Sequence, residues 1–190
     1  MNHLMIDLET LGTAADSVIL SVGAVKFDLH STAIDDHGFY GSISIDSNFD
    51  AGRRVSEDTL LWWLKQPAAA QAVFFENKLP LEQVLIDLSN WIGSRDWVVW
   101  AKGPSFDIAM LEHAYKQFKM ETPWEFWNAR CVRTYMGLPG AKGIKAATEG
   151  VAHNALSDAY EQAKTIQMIH QKVFGDTPRS PMIKPKAKAE

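Results

Sequence analysis

The 190-residue chain has a single cysteine, Cys131. No intrachain disulfide can form, and no cysteine-based zinc cluster can be assembled. Such sparse cysteine usage is compatible with a reducing compartment. No apolar run approaches the ~20 residues that a membrane-spanning helix needs. The first residues have no basic leader, and Asp7 and Glu9 interrupt the apolar ones early, so they read as a strand rather than a signal peptide. No internal repeat is visible. Positive charge is also scarce: 19 Lys and Arg stand against 23 Asp and Glu, a net charge of −4. That excludes a polybasic coat for nucleic acid but leaves room for a local basic groove.

What is present is an ordinary globular composition, 46% hydrophobic and 22% charged. The length suits one domain with a sizeable core, expected over residues 1–175. Residues 176–190 hold three of the eight prolines, four basic residues and two acidic ones, a composition that predicts a disordered, solvated tail. Without that tail the net charge falls from −4 to −6. Metal-binding carboxylates would account for the acidity of the body, and so would the usual acidity of cytosolic proteins.

Periodicity predicts strands over 3–9, 18–27, 39–45 and 97–101, and a weaker one over 124–128. Short links between the first three suggest antiparallel neighbours. Ser56 is the expected cap of a helix to Gln66, which Pro67 ends, with a further helical stretch over 68–75. Pro80 opens a helix with Leu81, Val84, Leu85, Leu88 and Ile92 at helical spacing. Ser105 is expected to cap a helix to Phe118, and Asn154 a long one to Phe174, with a short helix at 130–136 and a glycine-rich loop over 137–152. Three strands followed by alternating helices and strands suggest a mixed α/β sheet covered by helices, with its site at the carboxyl ends of the central strands.

Acids occur in three places that resist them. Asp7 and Glu9 leave the same face of the first strand, because the side-chain period is two. Such neighbours repel unless a cation lies between them, and Mg²⁺ suits carboxylate oxygens. Solvated acids at a strand end are the bland alternative. Asp107 stands on the apolar stripe of its helix with Met110, Leu111 and Ala114, although a helix start favours an acid there in any case. Asp158 shares a stripe with Ala155, Ala159, Gln162, Ala163 and Ile166. An acid facing a core costs several kcal/mol unless it is paired or ligates a metal. His153 stands just before that helix, at the end of the glycine-rich loop. Four acids from three segments plus one histidine are the makeup of a metal-assisted phosphoryl-transfer site, the imidazole taking a proton from water near neutral pH.

Asp7-Leu8-Glu9-Thr10, Phe106-Asp107 and His153-Asn154-Ala155-Leu156-Ser157-Asp158 resemble the three motifs of the DEDDh 3′→5′ exonucleases, the DnaQ-like branch of the ribonuclease H-like superfamily. The resemblance spans residues 4 to about 174. It implies a ribonuclease H-like, mixed five-stranded sheet with one antiparallel strand, flanked by helices. It also implies two Mg²⁺ or Mn²⁺ ions held by Asp7, Glu9, Asp107 and Asp158, with His153 as general base. The implied substrate is the 3′ end of single-stranded DNA or RNA, trimmed to nucleoside 5′-monophosphates, with Thr10 and Leu11 at the terminal nucleotide. Gly103-Pro104-Ser105 stands where many members carry an Asn before the second-motif acid, which bears on substrate discrimination rather than on metal chemistry. Trp62-Trp63 and Arg133-Thr134 resemble a small bacterial and phage subgroup containing both exoribonucleases and exodeoxyribonucleases, which implies a cytoplasmic location.

Seven tryptophans suit stacking on single strands. Trp62 or Trp63 is a candidate base platform, and Phe106 a wall of the nucleotide pocket. Core packing or a homodimer interface would equally explain the apolar block Leu60–Leu64. Trp91, Trp97 and Trp100 read as core. Arg53, Arg54, Lys142 and Lys145 are candidate phosphate contacts. The alternatives to a polymer exonuclease are a phosphodiesterase trimming oligonucleotides and a nucleic-acid-binding module without activity.

Overall fold

The computed structural model describes residues 1–147 and 150–175. The tail expected to be disordered lies outside them. A five-stranded sheet runs in the order β3-β2-β1-β4-β5, with β1 at His3–Thr10, β2 at Ile19–Phe27, β3 at Phe39–Ser42, β4 at Val98–Ala101 and β5 at Ala129–Cys131. β1 pairs antiparallel with β2 and parallel with β4; β2 pairs antiparallel with β3, and β4 parallel with β5. The central strand therefore ends next to a crossover, where such sheets open a crevice. Among the described residues, no helix is long and apolar enough to cross a membrane.

The period of β1 divides the core. Leu4, Ile6 and Leu8 pack on one face with Leu81, Val84, Leu85 and Leu88 of α4 (Leu81–Ile92) and with residues of α5 (Asp107–Gln117). Met5 faces the other side, with Val25, Phe27 and the Ala159, Ala163 and Ile166 stripe of α7 (Ala155–Phe174). A third cluster gathers Leu11, Val18 and Leu20, around the β1–β2 connection, with Trp63.

Several local expectations change. The strand read over 39–45 ends at Ser42, because Ser44 caps a six-residue helix over Ile45–Asp50. Polar composition concealed that helix; its buried Asn48 bonds the backbone N–H and C=O of Ile19. The aromatic run 124–128 is not a strand. Trp124 is fully buried, Phe126–Asn128 forms a 3₁₀ turn, and pairing begins at Ala129. Ser105 does not cap α5: the Phe106 and Asp107 N–H groups both donate to the Gly103 carbonyl, so Ser105 lies in the turn. Trp100 is buried, but Trp91 and Trp97 are half-buried with the Lys26 ammonium over their rings.

Arg53 is not a phosphate contact. It is 2% exposed, and its guanidinium donates to the Ser17 and Ala15 carbonyls and to Gln117 Oε1. Arg54 is paired with Asp16, and Lys145 with Glu161 at 3.2 Å.

Candidate active site

Three segments deliver the acids to one rim of the sheet. On β1, Asp7 and Glu9 leave the face that Met5 occupies. The register slips between Glu9 and Thr10, a bulge that bends the strand beside the acids. Asp107 is the first residue of α5 and is 2% exposed. Its carboxylate accepts from its own N–H and from that of Leu8, and Arg133 and Lys102 lie near enough to favour its charge. Asp158 lies in the first turn of α7, where Asn154 Oδ1 caps the helix by accepting from the Ser157 N–H at 3.1 Å.

Gly23 sets the position of that helix. It pairs with Asp7 across β1 and β2, and a Cβ there would fall 2.2 Å from the backbone of Ala155 and Leu156. The start of α7 therefore rests on bare strand backbone next to the acid. A glycine inside a strand pattern signals such an approach, and this was the available cue for Gly23, to which sequence patterning assigned nothing.

Glu9, His153 and Asp158 each place one ligand atom within 4.8 Å of the others. Burial first, then Asp158 and Asp107, push the Glu9 carboxyl up to about 8. Asp7 is half-buried as a residue, and its carboxyl is surrounded by protein. Its carboxyl is raised well above the usual range by that burial and by Asp107 and Glu9, while a hydrogen bond from Gln162 acts the other way. Burial raises Asp107 to about 7. Burial also raises Asp158, while His153 favours its charge. Four carboxyl groups that burial holds against ionisation, Asp7 and Glu9 also through the neighbouring acids, fit a hard divalent cation, which removes both penalties.

His153 has φ 62°, left-handed backbone that few non-glycine residues adopt. Its ring meets Trp62 edge-on at 4.9 Å and Trp63 at 6.3 Å. The two tryptophans close α2 (Glu57–Trp63). Trp63 is not a stacking platform: it is 1% exposed, and its indole N–H donates to the Thr10 carbonyl at 2.8 Å. Trp62 is 42% exposed and is the aromatic that borders the site. Leu11 is also corrected. It is 3% exposed in the third core cluster, its N–H donates to the Val18 carbonyl and its own carbonyl accepts from the Ser56 N–H. The Thr10 hydroxyl donates to the Gly12 carbonyl. Phe106 is half-buried directly before Asp107.

A cleft of about 180 Å³ opens along His153 and Asp158 and is lined further by Lys102, Lys145, Glu161 and Gln162. A larger cavity of about 430 Å³, walled by His30, Met168 and His170, holds none of the four acids. Proximity of the acids, not cavity size, marks the site. Lys102 and Gln162 are further residues at the site to which sequence patterning gave no role. For Gln162 the cue was a polar residue on an apolar stripe, one turn after an acid.

Residues 2–170 match the Rv2179c-like 3′–5′ exoribonuclease domain. The chain belongs to that family. It is also 24% identical over 164 residues to an exodeoxyribonuclease of Enterobacteria phage T4, covering 70% of each chain. Among solved structures, E. coli exonuclease I in complex with a 5cy-dA13 oligonucleotide superposes with a TM-score of 0.65 at 12% identity, over 90% of this chain and 40% of that one. The nuclease domain of 3′hExo, a DEDDh family member bound to rAMP, gives 0.59 at 15% identity, over 90% and 92%. The chain thus spans about 40% of the length of exonuclease I. At these identities the superpositions speak for the fold. The expected mixed five-stranded sheet and the resemblance to 3′→5′ exonucleases are both borne out for this member of the exoribonuclease-like family.

Proposed function

We propose that this protein is a divalent-metal-dependent exonuclease that removes nucleoside 5′-monophosphates from the 3′ ends of single-stranded nucleic acid. The observation that carries the reading is the meeting of Asp7, Glu9, Asp107 and Asp158 from three segments, with a His153 ring atom within 4.8 Å of the Glu9 and Asp158 oxygens. The four acids would hold two Mg²⁺ or Mn²⁺ ions, which when bound activate a water and stabilise the leaving oxygen.

The residues of the chain divide the remaining work. His153 accepts the proton of the attacking water. The terminal P–O3′ bond breaks, the phosphate leaves with the last nucleoside, and the shortened strand keeps a 3′-hydroxyl. Trp62 offers an exposed ring beside His153 on which a terminal or penultimate base can stack. Thr10 and Phe106 flank the acids and border the last nucleotide. Lys102 supplies positive charge along the cleft for a phosphate.

The test is hydrolysis of matched DNA and RNA oligomers, labelled at the 5′ end, by the purified chain with Mn²⁺. Stepwise shortening with release of 5′-monophosphates is expected, and the two sugars are ranked by rate. Asp7→Ala should abolish it. His153→Ala should lower turnover by roughly 10²–10⁴-fold while Mn²⁺ binding persists. Hydrolysis undiminished in Asp7→Ala would place the chemistry elsewhere, and equal loss of metal affinity in His153→Ala would make the imidazole a ligand.

A further inference from the structure

Asp158 and Gln162 stand one turn apart on α7, so their side chains rise from one face. Gln162 is 5% exposed, and its Nε2 donates to Asp7 Oδ1 at 2.7 Å. Its Oε1 is buried with no hydrogen-bond partner among the described residues. Beside it α7 buries Ala159, Ala163 and Ile166, and Lys102, Lys145 and Glu161 line the cleft it borders. A methionine of similar length would fill that space without orphaning an acceptor. Glutamine is therefore a poor choice for packing alone.

It is a good choice for holding a carboxylate. Where a bound cation holds Asp7 ionised, turning the amide over would set Oε1 against a carboxylate oxygen, acceptor against acceptor, so the donor end is the one that serves the loaded site. With Oδ1 engaged, the Asp7 carboxylate is restrained in its rotation about the Cβ–Cγ bond. We propose that Gln162 is a positioning residue that orients Asp7 for divalent-cation binding. The inference rests on the reading of the four acids as cation ligands. Gln162 acts through Asp7 and is not itself a ligand in this scheme. Residues that orient a metal ligand are worth roughly 10–100-fold in metal affinity.

The experiment is a calorimetric Mn²⁺ titration of the full chain without nucleic acid, paired with thermal melts in chelator. Gln162→Met is expected to weaken the Mn²⁺ Kd roughly 10–100-fold, while the melting temperature in chelator holds or rises. Gln162→Asn keeps the amide but withdraws it by one methylene; it should weaken binding in the same direction and serves if the methionine variant fails to fold. A folded variant with a wild-type Mn²⁺ Kd overturns the proposal, and a lowered melting temperature with unchanged Kd does so by assigning the residue to packing. A wild-type chain that binds no Mn²⁺ overturns the cation reading itself, and the first arm of the titration reveals that separately.

Discussion

The two faces of β1 are built from alternate residues of one strand, yet they obey opposite rules. Leu4, Ile6 and Leu8 point into hydrocarbon and are at most 5% exposed. On the other face Met5 is equally buried, but the next two positions are Asp7 and Glu9. The first face is a seal in which each methylene counts toward stability. The second begins as a seal and turns into a cluster of mutually repelling acids, which the proposed cations would stabilise. A fold can place ionisable groups at such cost because the face opposite is so thoroughly apolar.

Substitutions can break this contrast. Asp107→Asn should lower hydrolysis roughly 10³-fold or more, the equivalent of several kcal/mol of lost transition-state stabilisation, with a metal-free melting temperature unchanged or higher. On the opposite face Ile6→Ala should cost about 2–5 kcal/mol of stability by denaturant titration, while the folded fraction keeps its turnover. If Asp107→Asn destabilises and Ile6→Ala does not, the division of labour is wrong.

Titration sharpens the same contrast. Glu9 moves from an ordinary 4.5 up to about 8, and Asp107 from 3.8 to about 7. A carboxyl raised in the folded state binds more protons there than in the unfolded chain, so stability must fall as pH rises between the two values. Thermal melts in chelator should therefore decline between about pH 5 and pH 8. Added Mn²⁺ or Glu9→Gln should flatten the decline, and a melting temperature that climbs with pH in chelator would contradict it.

The smallest expected effect is at Gly23. An added methyl would meet the backbone of Ala155 and Leu156 at 2.2 Å, and backbone cannot rotate away. Gly23→Ala should cost about 1–3 kcal/mol and lower turnover by displacing Asp158 and His153 from β1. Steady-state rates beside a denaturant curve check both parts.

Much of this is legible in the amino-acid pattern alone. Carboxylates on a strand end and on apolar helix stripes violate hydrophobic patterning, and such violations survive where a site needs them. The long, periodic helices α4 and α7 are equally plain. The short elements are not. The Ile45–Asp50 helix carries too few apolar residues to show a period, and its buried Asn48 owes its place to Ile19, which lies 29 residues earlier in the chain. Trp62 and Trp63 are indistinguishable by pattern, because which ring is buried depends on where the Thr10 carbonyl lies. Arg53 reads as a surface cation until Ser17, Ala15 and Gln117 enclose it.

The left-handed backbone of His153 has a consequence for control. A non-glycine residue held there stores about 1–3 kcal/mol, and its own backbone N–H donates to the Asp158 carboxylate, so relaxation of that one torsion would carry the imidazole off Trp62 and disturb Asp158 with it. The strained turn thus ties the placement of the imidazole to the placement of one acid through a single residue.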